Sequence, residues 1–278
     1  MSQILIVGAS GTVGSQLSEI LKSKGQKALR ATSKTTLESD QVHLNLVNQS
    51  GLEKAFENID RLFLLSPPGH TNQNELLAPL VDMAKKKNVK KVVLMTAMGA
   101  NAVDTSPMRQ AEIKLEKSGL KYNIIRPNWF MQNFNTFWIQ GINNDNKIYL
   151  PVGKAKGSFI DARDIAAVAA ELLVSHKFDN QDFDLTGPEP LDHDHVASLI
   201  SQATGRTITF QDITPEAMRQ GLLQAGLPKD YSEFLITILG FFKEGYSART
   251  TDAVEKITGN KPRTVKQYTI DYKSAWTK

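Results

Sequence analysis

The sequence predicts an α/β protein, a doubly wound parallel sheet followed by a smaller C-terminal lobe. Three observations predict it. Short apolar runs of strand length alternate with segments of helical spacing as far as residue 125, and a glycine-rich turn joins the first run to the first helix. After Pro127 the alternation gives way to a cluster of aromatics before α/β character returns.

Ile4-Leu5-Ile6-Val7 is an unbroken apolar run bounded by glycine, as expected of a strand buried on both faces. Val13, Leu17, Ile20 and Leu21 then recur at helical spacing up to Gly25, and a second strand is expected over 28–32. The series continues with a strand at 42–44, a helix at 49–56, a strand at 62–65 and a helix at 72–86. A strand at 92–95, a helix at 106–117 and a strand at 122–125 complete it. Such alternation implies right-handed crossovers feeding one parallel sheet.

Beyond Pro127, the residues Trp129, Phe130, Phe134, Phe137 and Trp138 crowd together in a chain that is only 8% aromatic. A turn rich in Gly, Asn and Asp and a strand at 148–150 follow. A helix at 165–174, a strand at 183–185, a helix at 193–203 and a strand at 208–210 come next, and helices at 217–225, 231–243 and 253–257 close the chain. The expected division is a sheet domain over 1–155, with 158–180 packing back onto it, and a smaller α/β substrate lobe over 181–278. Residues 127–150 complete the lobe's pocket.

Composition narrows the function. With 41% hydrophobic and 22% charged residues, the chain of 278 is ordinary for a globular protein. The absence of cysteine excludes disulfides, thiolate nucleophiles and Cys-ligated metal, so redox chemistry must come from a bound cofactor. The net charge of +4 is scattered, and its densest run, Lys85-Lys86-Lys87, ends an expected helix where cations complement the dipole, so no nucleic-acid partner is expected. An apolar strand follows Met1-Ser2-Gln3 directly, and no apolar run reaches membrane-spanning length, so a cytoplasmic protein without a membrane partner is expected. No metal site is expected either. Asp192, next to His193, Asp194 and His195, reads as a helix cap, and Asp164 begins an apolar helix; Asp161 has no assigned role.

Gly8-Ala9-Ser10-Gly11-Thr12-Val13-Gly14 lies between the first strand and the first helix with the spacing GxxGxxG. Beside a pyrophosphate, Gly8 allows the tight turn, Gly11 a close approach of backbone to phosphate, and Gly14 close packing of helix on strand. Ser10, Thr12 and Val13 add donors at the positive end of the helix dipole. This is the pattern of a Rossmann-type dinucleotide site. An NAD-preferring site carries an acid about twenty residues after the glycines. Here the second strand ends Arg30-Ala31-Thr32-Ser33-Lys34, and Arg30, Ser33 and Lys34 offer cations and a hydroxyl to a 2′-phosphate, favouring NADP(H) over NAD(H). The alternative is that these three are exposed strand-end residues.

Several further segments carry a family resemblance: Leu64-Leu65-Ser66-Pro67-Pro68, the run Glu112 to Leu120, Arg126-Pro127-Asn128-Trp129-Phe130-Met131-Gln132-Asn133, and Thr251 to Val254 with Thr258 to Pro262. With the glycine segment they resemble the NmrA-like atypical short-chain dehydrogenases/reductases, which include NAD(P)H-dependent quinone, azo-dye and triphenylmethane-dye reductases and NADP-sensing regulators. The resemblance covers essentially the whole chain. It implies that Leu65, Ser66 and Pro67 line the ribose and pyrophosphate side, that Asn45 and Leu46 border the adenine, and that Pro127, Asn128, Trp129 and Phe130 border the nicotinamide.

In the wider superfamily a Ser, a Tyr and a Lys four residues on perform carbonyl reduction, the Lys lowering the pKa of the phenol. Family spacing counted back from Glu112 puts Met108 at the Lys and Asp104 at the Tyr, so both are missing. Thr96 falls in the serine region, where its hydroxyl could bond a substrate oxygen. His70, after the fourth strand, is a second candidate acid/base group, and Arg109 faces the region of the missing Lys.

Two functions remain open. As an enzyme, the chain would transfer hydride from NADPH to a conjugated acceptor such as a quinone or azo compound, held against a wall of Trp129, Phe130, Phe134 and Trp138. Each of those rings has the alternative of being core. As a sensor, it would bind NADP and act through a protein partner, and its oligomeric state is left open.

Overall fold

The computed structural model describes residues 3–277; Met1, Ser2 and Lys278 lie outside them. The elements run β1 (Gln3–Ile6), α1 (Thr12–Ser23), β2 (Lys27–Thr32), β3 (Gln41–His43), α2 (Leu52–Ala55), β4 (Arg61–Leu65), α3 (Gln73–Lys86), β5 (Lys91–Met95), α4 (Pro107–Glu116) and β6 (Lys121–Pro127). They continue with α5 (Ile139–Asp145), β7 (Lys147–Leu150), α6 (Ala162–Val174), β8 (Gln181–Leu185), α7 (His193–Thr204), β9 (Thr209–Asp212), α8 (Pro215–Gln224), α9 (Lys229–Lys243), α10 (Ala253–Thr258) and α11 (Val265–Asp271).

Seven strands form one sheet in the order β3-β2-β1-β4-β5-β6-β8. The pairings among β1 to β6 are parallel, with Ile6 opposite Arg30 and Phe63, and Val93 opposite Asn123. Both faces are covered. Leu5, Val7, Leu62, Leu64, Val92, Leu94 and Ile124 pack with Leu77, Leu80 and Val81 of α3 and Ala111 and Leu115 of α4. Their strand neighbours Ile4, Ile6, Phe63, Val93 and Ile125, which alternation sends to the opposite face, are also fully buried. On the helical layers α1 packs on α6 and α3 on α4. The expected doubly wound sheet is therefore present.

The chain divides into two compact units. The first comprises 1–127, 162–184 and 256–259; the second comprises 128–161, 185–255 and 260–278. The expected boundaries at 155 and 181 are thus corrected. Residues 128–155 belong to the second unit, and β8, expected in the small lobe, is a strand of the large sheet. The tie is physical: buried Asn123 of β6 donates its side-chain amide to the carbonyls of Phe178 and Gln181. A short apolar run does not reveal which sheet it joins.

The second unit is built on the parallel pair β7 and β9. Around it Met131, Phe134, Trp138, Phe159, Phe242, Tyr268 and Trp276 form one core. The Trp276 indole N–H donates to the Phe134 carbonyl at 2.9 Å.

Other elements depart from expectation for local reasons. The helix expected from residue 49 starts only at Leu52, because Gln49 and Gly51 are left-handed (φ 60° and 83°). α5, expected as a turn, carries only two apolar residues, Ile139 and Ile142, and Arg206 holds its terminal carbonyls by donating to Ile142 and Asn143 at 2.9 and 3.2 Å. α11 is fixed by Thr264, whose hydroxyl accepts from the backbone of Gln267, and by burial of Val265 and Tyr268. Among the described residues no helix is long and apolar enough to cross a membrane.

Candidate cofactor site

The glycine turn at the end of β1 is glycine for three different reasons. Gly8 is left-handed (φ 72°), and a Cβ there would stand 2.9 Å from Leu65 Cδ1. At Gly14 a Cβ would fall 2.2 Å from the Gly8 carbonyl and 2.8 Å from the Ala9 Cα, so only glycine lets α1 lie on the turn. Gly11 is constrained least from within: a Cβ would meet only the Gly8 oxygen, at 3.3 Å. The Gly11 N–H closes the turn onto that same oxygen at 3.0 Å.

Gly11 is also the N-cap of α1. No side chain caps this end and no acid occupies its first turn. The N–H groups of Thr12, Val13 and Gly14 precede the first intrahelical bond, from Ser15 to Gly11. Ser10, Gly11 and Thr12 are exposed, while Val13 and Gly14 are buried beneath them. Open donors at the positive end of a helix dipole, with no competing carboxylate, form a surface suited to a pyrophosphate.

The ends of β2 and β3 are organised differently from the sequence expectation. Arg30 is not free for a phosphate. Its guanidinium donates to both Asp40 oxygens, at 2.8 and 2.7 Å, and to Glu38. These bonds raise the Arg30 pKa further above its ordinary value and hold the Asp40 carboxyl below its own. Ser33 and Lys34 are exposed beyond the strand end. Asn45 caps its own turn, its side-chain oxygen accepting from the N–H groups of Val47 and Asn48, while Leu46 packs partly on the core. Between these segments stands His43, which the sequence reading passed over; its ring lies within 3.0 Å of the Lys34 carbonyl and 2.9 Å of the Ser50 hydroxyl.

At the end of β4, Leu65 backs onto Gly8, and half-buried Ser66 and Pro67 follow, the Ser66 hydroxyl donating to the Pro67 carbonyl at 3.3 Å. His70 is half-buried in the turn before α3, and its carbonyl accepts from Gln73.

Thr96, just past β5, requires a correction. Its hydroxyl donates to Glu112 Oε1 at 2.6 Å, so its proton is not presented to a substrate oxygen. Glu112 is fully buried and accepts from Arg126 at both oxygens, each at 2.8 Å, and from Arg109 at 3.0 Å. Arg109 also bonds Glu116, and Arg126 reaches Asp182. Burial alone would lower the Arg126 pKa, but Glu112 and Asp182 raise it above its ordinary value. Asp104 is exposed in the loop before α4 and Met108 lies in the first turn of that helix. Sequence reasoning missed this knot, although one signal was available: Glu112 falls in the apolar stripe of α4, four residues from Met108 and three from Leu115.

Pro127 ends β6 buried, its carbonyl accepting from the Met98 N–H. In the second unit Asn128 is also committed. Its amide donates to the Ser247 carbonyl at 2.8 Å and its oxygen accepts from the Trp129 N–H at 2.9 Å. The expected aromatic wall separates into two pairs. Phe134 and Trp138 are core, packed edge-on at 4.8 Å between centroids, which corrects their assignment to a pocket. Trp129 and Phe130 are half-buried, Trp129 stacking on Trp138 at 6.1 Å. Asp192 caps α7 as expected, accepting from the His195 N–H at 2.8 Å.

Comparison with known proteins bears on this geometry. Residues 8–176 match the family model described as NAD(P)H-binding. The NAD(P)H azoreductase of Xenophilus azovorans is 29% identical over 287 aligned residues, covering 98% of this chain and 99% of its own. Among solved structures, the Citrobacter sp. triphenylmethane reductase complexed with NADP(H) superposes with a TM-score of 0.81 at 20% identity, over 98% of this chain and 99% of its own. NmrA, a negative transcriptional regulator, in complex with NAD gives 0.79 at 16% identity, over 98% and 95%. With its glycine turn and uncapped helix standing inside the matched segment, the chain belongs to the NAD(P)H-binding family.

Proposed function

We propose that the chain uses NADPH to reduce a conjugated acceptor that is already electrophilic, of the quinone or azo class. The observation that carries this reading is the bond from Thr96 to Glu112. With that hydroxyl proton held by a buried carboxylate, and with Met108 and Asp104 at the positions of the superfamily's Lys and Tyr, neither Thr96 nor a Lys-activated phenol is there to protonate a developing alkoxide. A carbonyl substrate needs such an acid, whereas a quinone or azo compound accepts hydride without one and takes its protons from water. The name of the Xenophilus relative agrees with this acceptor class.

The glycine turn and the first N–H groups of α1 fit a pyrophosphate, and Ser66 and Pro67 border its ribose side. When bound there, a reduced nicotinamide supplies the hydride. Ser33 and Lys34 supply the hydroxyl and cation for a 2′-phosphate now that Arg30 is held by Asp40 and Glu38. Half-buried Trp129 and Phe130 are the rings left to stack on a flat acceptor.

Stopped-flow oxidation of NADPH against quinones, azo dyes and simple carbonyls tests the reading. Quinones or azo dyes should accelerate oxidation while carbonyls do not. Acceleration by carbonyls alone would overturn the acceptor class, and tight NADP binding without any turnover would favour the regulatory reading.

A further inference from the structure

We propose that His43 is a positioning residue that sets the preference for a 2′-phosphorylated dinucleotide; the inference rests on the cofactor reading above. His43 is the last residue of β3, opposite Thr32 at the end of β2. On one side of its ring is the loop holding Ser33 and Lys34, twenty residues beyond the glycines, and on the other the turn at 45–51 that borders the adenine in that reading.

The direction of the bonds follows from the partners. The Lys34 oxygen is a carbonyl and only accepts, so Nδ1 carries the proton and donates to it at 3.0 Å. Nε2 of the neutral ring is then an acceptor, and the Ser50 hydroxyl donates to it at 2.9 Å. One more contact braces each side. The Lys34 N–H bonds the Thr32 hydroxyl at 3.2 Å, and the Asn45 N–H bonds the Ser50 carbonyl at 3.0 Å. Gly51 lies so close that a Cβ there would stand 2.1 Å from the His43 carbonyl and 2.9 Å from its Cδ2, which seats the ring against the turn.

One imidazole thus spans the two segments that would hold the adenosine half of the cofactor. Exposed loops order at an entropic cost, and a loop already fixed through its backbone carbonyl binds with less of it. Loss of the Nδ1 bond therefore weakens the ligand that uses the Ser33–Lys34 loop, NADPH, and leaves NADH largely unaffected.

The test is direct titration of the protein with NADPH and NADH, for wild type and two variants. His43→Asn can place an amide N–H near the Nδ1 position and keep the bond to Lys34; His43→Gln reaches instead toward Ser50 and loses it. For His43→Gln the NADPH Kd should rise about fivefold with the NADH Kd within twofold, and His43→Asn should retain most of the wild-type ratio. Equal weakening of both cofactors, an unchanged ratio in His43→Gln, or an equal loss in both variants would overturn the role of His43 while leaving the cofactor reading intact. A wild-type protein with no preference for NADPH would overturn both.

Discussion

Glu112 in the first unit and His193 in the second are both buried polar side chains, and they stand in opposite conditions. Glu112 accepts four hydrogen bonds, from Thr96, Arg109 and twice from Arg126. His193 is only 1% exposed and is ringed by Phe134, Trp138, Phe159, Phe210 and Phe242 at 5.2–5.9 Å, with neither ring nitrogen partnered. Burial pushes its imidazole down to about 4, against the opposing pull of Asp192 and Asp194. The first arrangement fixes geometry at the sheet edge where the cofactor is expected. The second is an aromatic core that keeps a polar ring neutral, and equal burial gives the two units different vulnerabilities.

The largest effect should come from opening the Glu112 knot. Among the described residues, Glu112→Ala leaves Arg126 with the carboxylates of Asp182 and Asp184 in reach. Breaking a buried pair from one side costs about 3–5 kcal/mol. Urea unfolding measures this, and a loss under about 1 kcal/mol would show the network to be incidental.

Acid should act on the other unit. The folded pKa of His193 lies below that of a free imidazole, so the unfolded chain takes up the proton first as pH falls. Its contribution is complete above about pH 6.5 and is lost progressively down to about pH 4, amounting to about 3 kcal/mol. His193→Phe should flatten that acid limb. All three tryptophans, Trp129, Trp138 and Trp276, lie in the second unit, so their fluorescence follows it alone. A wild-type transition independent of pH between 6.5 and 4 would contradict the buried neutral ring.

Within the glycine turn the same contrast can be made finer. Gly14→Ala, with its Cβ inside contact distance of backbone, should cost about 1–3 kcal/mol. Gly11→Ala should spare stability and weaken dinucleotide binding; thermal unfolding and a binding titration separate the two. The smallest effect is expected from Thr96→Val, about 1 kcal/mol, since both arginines still hold Glu112. It should leave turnover with quinones unchanged, and a large fall in kcat would restore Thr96 as a proton donor.

The sheet and the glycine turn were legible because their signals are local: apolar runs such as 4–7 and 62–65, and glycines within seven residues. Partnerships were not. Thr96 and Glu112 are 16 residues apart, and Asn128 and the carbonyl of Ser247 are 119 apart. Spacing identifies a polar residue near a site without showing whether another segment has already engaged it. Arg30, Asn45, Asn128 and Thr96 all resemble ligand-binding residues in sequence, and in the fold each bonds a neighbour. Membership of β8 in the large sheet was hidden for the same reason, since Phe183 and Leu185 fit any buried strand.

The division into units is also a statement about connectivity. The chain passes between them at 127/128, 161/162, 184/185, 255/256 and 259/260. A single nick in any one of these links leaves each unit attached through the others. A fragment cut at residue 155 would lack both α6, which packs on α1, and β8, the edge of the sheet. The two units are woven from one thread and cannot be inherited, excised or exchanged as consecutive pieces.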